Sequence, residues 1–495
     1  MHANATSAFP QGSQDTMIRY MTVKRALPMT SRLSIAVLAA LLIHPSGAVT
    51  AQNAERGRTP EQRFFDWTSL PFPPTEFRLR RQAMMAQLQQ SGGGVFLSPG
   101  SEGFTSDGTF RQEIDFLYFT GLELPHSMLV LDADEALTIV FAPRTDVRFE
   151  STSRPNHFPG RPLADDPEIA ARSGITQIRP IGDLDTYLAG LVSDGRTIRI
   201  NLSGIDPALL APTQPIQSWS PVASLLHHLQ GSFPDVHIES AYSEIARLRM
   251  VKSDAEIAVM RTNARLTAHA IMTAAGHIAD GVQERGLEAE FEAACKRGGS
   301  QRVAFPSIIK SGPNSLWPWR ILAAHYDRRN RAMHFGDIVI FDVGCELDYY
   351  SSDVGRTFPV SGRFTDEQRD ALLMVTAVSD SIIAAVRPGM TLGELQAIAE
   401  QAIPEDQRQY MQTGFFFGHH IGLSVSDPNL PDAMLQPGMI FTVEPWYYNH
   451  DRDISVFVED CVLVTATGSE VLTASLPRTP EDLERLVGVL LGSGQ

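Results

Sequence analysis

Cysteine is scarce in this 495-residue chain: Cys295, Cys345 and Cys461 form an odd, widely spaced set with no CxxC. That excludes a disulfide-framed scaffold and a thiolate zinc site, and all three read as small core residues. Basic residues are in deficit, 41 Lys and Arg against 57 Asp and Glu, for a net charge of −16 without any basic block. Nucleic acid and anionic membrane surfaces are therefore excluded as main partners. GxxxxGK[ST], HExxH and a helix-opening GxGxxG are absent, and Gly422–Ser426 lacks the final glycine of GxSxG. These absences argue against phosphate-loop, zincin, dinucleotide and serine-esterase chemistry. There is no short tandem repeat and no low-complexity tract.

What is present is ordinary globular composition, 43% hydrophobic and 20% charged, in a chain long enough for about three domains. Arg19, Lys24, Arg25 and Arg32 precede the apolar run Leu33–Ile43, and small residues follow to Val49-Thr50-Ala51. This order reads as a secretory signal over 1–51, its apolar run well short of the ~20 residues a membrane span needs. No cysteine stands near the cleavage point, so a lipid anchor is not indicated. The expected location is secreted or periplasmic, with no membrane association once the signal is removed. Residues 52–62 read as a polar tether.

Two globular units follow, with expected bounds 63–242 and 243–495. In the first, a helix near 75–90 places Phe77, Met84 and Leu88 on one face and ends at Ser91–Gly94. The runs 95–97, 128–131, 137–142, 198–202 and 236–238 read as strands, giving a small α/β domain. Residues 150–165 read as a surface loop. Arg247–Lys252 reads as the hinge between the units. Ser253-Asp-Ala-Glu256 is a capping box that opens a helix with Ile257, Met260, Ala264, Ala268 and Ile271 on its apolar face. Helices near 366–386 and 392–402 and strands at 338–343, 439–443 and 456–464 complete an α+β pattern.

The chemistry sits in two hairpin-like segments of the second unit. A strand ending Ile-Val-Ile-Phe delivers Asp342, and Asp353 follows 11 residues later. A second strand delivers Glu444, and Glu459 follows 15 residues later among Val, Phe and Cys. Carboxylates in such apolar runs are costly to bury unless paired or bound to cations. His419, in Gly418-His-His-Ile-Gly422, adds one imidazole. Four carboxylates and one imidazole suit a pair of Mn²⁺, Co²⁺ or Zn²⁺ ions, with Mn²⁺ the first choice. A water held between two such ions is acidified toward neutral pH and becomes a hydroxide nucleophile.

The segments 341–365 (FDVGCELDYYSSDVGRTFPVSGRFT), 418–423 (GHHIGL), 441–448 (FTVEPWYY) and 456–465 (VFVEDCVLVT) resemble the pita-bread metallopeptidases, in particular the aminopeptidase P and prolidase branch. Residues 249–261, 304–315 and 323–326 match further, and 110–131 resembles the amino-terminal domain of aminopeptidase P. The resemblance implies a pita-bread (creatinase/aminopeptidase) catalytic domain behind a smaller α/β domain, and a homodimer or homotetramer. It implies that Asp342 binds one metal and His419 the other, that Asp353 and Glu459 bridge both, and that Glu444 is a ligand that also takes the proton of the attacking water. His325 matches a substrate-lining histidine. The implied activity is removal of the amino-terminal residue from peptide substrates with proline second.

Three positions depart from the family pattern. Phe415 and Ser426 stand where histidines usually contact substrate or stabilise the tetrahedral intermediate, and Phe457 stands where arginine is common. Losing one such donor can cost about 2.7–4 kcal/mol of barrier. The expectation is therefore a pocket poorer in donors around an intact metal centre, with Trp317, Trp319, Trp446, Tyr447 and Tyr448 as candidate apolar lining. The competing readings are a prolidase-like dipeptidase, a small-molecule hydrolase or lyase on the same fold, and a weakly active binding homologue.

Overall fold

The computed structural model describes residues 68–101, 110–144, 163–205, 220–316, 330–411 and 418–490. The signal and tether expectations, most of the 150–165 loop, and the positions of Trp317, Trp319, His325 and Phe415 lie outside these residues.

Six strands of the first part form one mixed sheet in the order β4-β3-β2-β1-β5-β6: β1 (Val95–Pro99), β2 (Met128–Asp132), β3 (Leu137–Ala142), β4 (Gln177–Pro180), β5 (Ile198–Ile200) and β6 (Ile238–Ser240). β1, β2 and β3 pair antiparallel, while β3–β4, β1–β5 and β5–β6 pair parallel. The continuous apolar runs of β1 and β2 are buried on both faces because helices cover both sides. The helix Pro74–Gln90 buries Phe77, Met84 and Leu88 as its spacing predicts, and its stem is pinned by Arg80 and Arg81 donating to the Tyr118 and Phe119 carbonyls.

The second part opens on the capping box expected at Ser253: Glu256 N–H donates to Ser253 Oγ, and Ser253 N–H to Glu256 Oε2. The helix Asp254–Ala275 buries Ile257, Met260, Ala264, Ala268 and Ile271. Short strands then make small sheets: β7 (Arg302–Val303), β8 (Ile308–Ser311), β9 (Ile338–Val343), β10 (Cys345–Leu347), β11 (Tyr350–Ser351), β12 (Val354–Pro359), β13 (Ile440–Val443), β14 (Trp446–Asn449), β15 (Ile454–Phe457), β16 (Asp460–Val464) and β17 (Ser469–Val471). β9 lies between β8 and β12, β16 between β13 and β17, and β14 pairs with β15. The continuous strand expected over 456–464 is in fact two strands. The chain leaves the β15 ladder at Val458 because Glu459 exchanges two backbone hydrogen bonds with Gly355 of β12 instead.

Arg247–Lys252 is not a hinge. The helix Tyr242–Met250 takes in its first four residues, and Arg249 is buried between Asp115 (3.0 Å) of the first part and Asp427 (2.6 Å) of the second. Lys252 Nζ is 3.1 Å from the other Asp427 oxygen. Burial alone would push the Asp427 carboxyl up; the Arg249 and Lys252 cations hold it below the usual carboxylate range. A second tie joins the parts at the β10–β11 turn, where Asp348 and Tyr349 take φ of 50° and 68°. The Tyr349 ring lies 5.1 Å from both the Arg111 and the Arg302 guanidinium, and both cations pair with Glu346. Its hydroxyl donates to Glu123.

The reading of all three cysteines as plain core residues also needs correction. They are buried, but Cys295 and Cys345 form a disulfide. They are 50 positions apart in sequence; the pairing of β10 with β7, which begins five residues past the end of the helix Glu284–Arg297, brings them together. Cys461 is a free buried thiol, pushed up to about 12, first by burial. Cross-linking a loop of this size stabilises by about 2–4 kcal/mol through the unfolded chain. Cys295→Ser should therefore lower the midpoint of thermal unfolding, and a reductant should lower the midpoint of the native chain but not of the variant. Equal midpoints for native chain and variant under oxidising conditions would contradict this role.

Candidate metal centre

Register places the acids. Gly355 of β12 pairs with Asp342 of β9 on one side and with Glu459 on the other, so two acids from segments more than a hundred residues apart flank one glycine. Asp353 enters from the residue before β12. Glu444 leaves the end of β13, two residues after Thr442. Gly418 takes φ 141°, a left-handed conformation that favours glycine, and the chain turns there to present His419. Thr442 fixes this turn: His419 N–H donates to Thr442 Oγ1 (3.0 Å), and Thr442 N–H donates to the His419 carbonyl (2.9 Å).

The side chains converge. Ligand-type atoms of Asp353, His419 and Glu459 all lie within 4.8 Å of one another, a grouping able to hold a metal ion. His419 Nε2 is 3.5 Å from Asp353 Oδ2 and 3.6 Å from Glu444 Oε1. His419 Nδ1 sits 3.1 Å from the His420 carbonyl, which directs Nε2 toward the acids. Asp342 interacts with Asp353 and Glu444. The structure thus brings together all five residues proposed from sequence as ligands.

Electrostatics test whether cations fit. Burial, then the charges of Asp353 and Glu444, push the Asp342 carboxyl well above the usual carboxylate range, and burial with the same neighbours does this to Glu459. Glu444 rises to about 7 through burial and Asp353, restrained by His419 and by the hydrogen bond from Thr442 Oγ1. Burial would lower His419, but its contact with Asp353 and the charge of Glu444 carry it up to about 9. Four buried carboxyl oxygens (Asp342 Oδ2, Asp353 Oδ1 and both of Glu459) have no hydrogen-bond partner. Orphaned anionic oxygens around one point are what divalent cations satisfy, and this oxygen-rich donor set suits hard or borderline ions.

His420 points the other way. It is buried against Phe441, and burial followed by the Lys252 charge lowers its pKa to about 4, so it stays neutral. Sequence reasoning passed over Thr442 and Arg356. Arg356, fully buried, donates to the Glu459 carbonyl (2.6 Å) and to Asp460 Oδ1 (2.7 Å), anchoring the Glu459 backbone. The signal for Thr442 was its place two residues before Glu444, on the same face of the strand. Of the three departures, Ser426 is exposed, whereas Phe457 is fully buried, its ring stacked on Trp446.

Fold and site define a metallopeptidase class. The sequence model of Metallopeptidase family M24 matches residues 258–466, and that of the aminopeptidase P N-terminal domain matches 77–200. The chain belongs to the pita-bread aminopeptidase P family. It is 29% identical over 453 residues to the Xaa-Pro aminopeptidase of Escherichia coli, covering 83% of this chain and 97% of that protein. It is also 29% identical to the mitochondrial intermediate cleaving peptidase 55 of Arabidopsis thaliana, over 77% of this chain and 75% of the relative. The structure of Pseudomonas aeruginosa aminopeptidase PepP superposes with a TM-score of 0.71 at 26% identity, covering 86% of this chain and all of that one.

The raised pKa values give a pH signature. Glu444 and His419 bind protons more tightly folded than unfolded, so the stability these two groups contribute to the metal-free protein is fully present at low pH. That contribution is lost as pH rises from 4.5 to about 7 for Glu444 and from 6.5 to about 9 for His419. Divalent ions should oppose this loss, so the gap in melting temperature between metal-loaded and chelator-treated protein should widen with pH across that window. A gap that is constant or narrows would refute the assignment.

Proposed function

We propose that this protein is a metal-dependent aminopeptidase that releases the amino-terminal residue from peptides with proline in second position. The observation that carries the reading is the convergence of Asp342, Asp353, His419, Glu444 and Glu459 with four orphaned carboxyl oxygens. Two divalent ions, Mn²⁺ by preference, would be held by these five residues, with Asp353 and Glu459 shared between them. When bound, such ions polarise the scissile carbonyl and lower the pKa of a held water. Glu444 would take the water's proton and pass it to the departing nitrogen. Thr442 Oγ1–H donates to Glu444 Oε1 at 3.0 Å, keeping the carboxylate oriented. His325 is assigned to the substrate.

The same reading covers residues 1–51 as an export signal, 52–62 as a tether, and 63–242 and 243–495 as the two domains of an exported homodimer or homotetramer. The Cys295–Cys345 disulfide supports export, because such bonds persist in oxidising compartments. No helix among the described residues is long and apolar enough to cross a membrane.

A mixed peptide library, incubated with the Mn²⁺-supplemented enzyme and read by mass spectrometry, should show single residues released ahead of proline. Cleavage elsewhere would favour a dipeptidase or another hydrolase, and no cleavage would favour a binding homologue. Asp353→Asn should lose at least one of two bound ions by metal analysis; an unchanged two-ion content would count against the bridging role. Ser426→His should raise kcat on Xaa-Pro peptides severalfold, toward the ~10²–10³-fold that one stabilising donor can supply. If kcat does not move, the missing donor is not what limits turnover.

A further inference from the structure

The hairpin that carries Asp342 and Asp353 is pinched between its two acids, where Gly344 and Cys345 meet Ser352. A Cβ on Gly344 would lie 1.7 Å from the Ser352 carbonyl oxygen, so glycine is what lets the two strands close there. Asp342 stands two residues before Gly344, and Asp353 directly follows Ser352. The separation of the two acids therefore depends on how firmly this waist is held.

It is held from the helix Asp254–Ala275. Asn263 and Thr267, four residues apart and so on one face of that helix, are both fully buried. Thr267 Oγ1 accepts from the Cys345 N–H (3.2 Å) and is hydrogen-bonded to Ser352 Oγ. Ser352 Oγ donates to the Cys345 carbonyl (3.3 Å), to which the Ser352 N–H also donates (3.1 Å). With its one proton on that carbonyl, Ser352 Oγ is the acceptor and Thr267 the donor in their contact. The bonds close a ring: Cys345 N–H to Thr267, Thr267 to Ser352, Ser352 back to the Cys345 carbonyl. Asn263 Nδ2 braces it by donating to the Cys345 and Tyr350 carbonyls, each at 2.8 Å. None of these groups is charged, so the waist is fixed without adding charge beside acids that repel each other.

We infer that Thr267 is a positioning residue: its hydroxyl, acting through Ser352, fixes Asp353 at a set distance from Asp342 so that both serve the metal pair. The inference rests on the metallo-aminopeptidase reading of the site. A functional carboxylate has to be held within about 0.5 Å of its working position, and a neighbouring residue bonded on both sides does this. The waist also seats the histidine segment, because the Ser351 N–H donates to the Gly422 carbonyl (2.8 Å), three residues past His419.

The test uses the purified full chain with Mn²⁺. Thr267→Val keeps the shape of the side chain and removes the hydroxyl. Its calorimetric Mn²⁺ affinity, measured well below the unfolding temperature, should fall about tenfold, the low end for loss of a group that orients a ligand. At saturating Mn²⁺ its kcat should fall severalfold with KM within about twofold, because no substrate contact is touched. Thr267→Ser, which restores the hydroxyl, should recover both. Ser352→Ala opens the same ring, so it should match Thr267→Val and add little to it in the double variant. Cys295→Ser is the control for a purely structural effect: the cross-link also ends on Cys345, but the ring survives its loss, so Mn²⁺ affinity should stay within about twofold. Wild-type Mn²⁺ affinity in Thr267→Val, no recovery in Thr267→Ser, additive losses in the double variant, or an equal loss of affinity in Cys295→Ser would each overturn the inference. If Thr267→Val does not fold, Ser352→Ala decides on the same readouts. Should wild type cleave no peptide while Thr267→Val still weakens Mn²⁺ binding, the aminopeptidase reading fails and the positioning role stands.

Discussion

Mutual repulsion among buried carboxylates is the constraint to which the rest of the molecule answers. Asp342, Asp353 and Glu459 are almost fully buried, and Glu444 is close to all of them. Without cations they stay together only by taking up protons, which is why burial and neighbouring charge drive the pKa values of Asp342, Glu444 and Glu459 upward. The polypeptide must therefore hold the acids in place by means other than their own interactions. It does so through backbone: Gly355 pairs with Asp342 and Glu459 on its two sides, and Arg356 grips the Glu459 carbonyl from a fully buried position. Thr442 joins the His419 turn to Glu444 with a single hydroxyl.

The first part of the chain shares this work. The segment from Asp342 to Asp353 is a hairpin whose tip, Tyr349, is held between Arg111 and Arg302 and bonded to Glu123. Tyrosine at φ 68° is strained and persists only where its surroundings over-determine it. Here the surroundings are two cations against the ring, Glu346 paired with both, and a carboxylate at the hydroxyl. The spacing of two candidate ligands is thus anchored in the amino-terminal domain as well as in the catalytic one. The buried Asp115–Arg249–Asp427–Lys252 chain adds a second anchor, on the segment that carries His419.

Local features were legible in the sequence wherever a short-range rule applies. The capping box at Ser253, the apolar faces of the helices Pro74–Gln90 and Asp254–Ala275, and the strands delivering Asp342 and Glu444 all follow from periodicity and caps. The four acids and one imidazole were legible as a set because their order and flanks agree, although spacing alone could not place them in one site. What stayed hidden depends on pairing between distant segments. Glu459 leaves its strand to bond Gly355, Cys295 meets Cys345 across 50 residues, and Arg249 turns an apparent hinge into a buried ion-pair junction. None of these contacts leaves a periodic trace, because each is decided by which sheets the chain brings side by side.

The same distinction governs the departures from the family pattern. Counted along the sequence, Phe415, Ser426 and Phe457 are three donors lost. In three dimensions Ser426 and Phe457 are unlike. Ser426 is exposed. Phe457 is not an open pocket wall: its ring is completely enclosed, packed over a glycine that leaves it room and stacked on the Trp446 indole. A guanidinium in that space would have to be desolvated beside a stacked tryptophan. The aromatic stack with Ile340 fills the space at no cost in buried charge, so the phenylalanine belongs to a closed apolar packing beside the acids rather than to an emptied site.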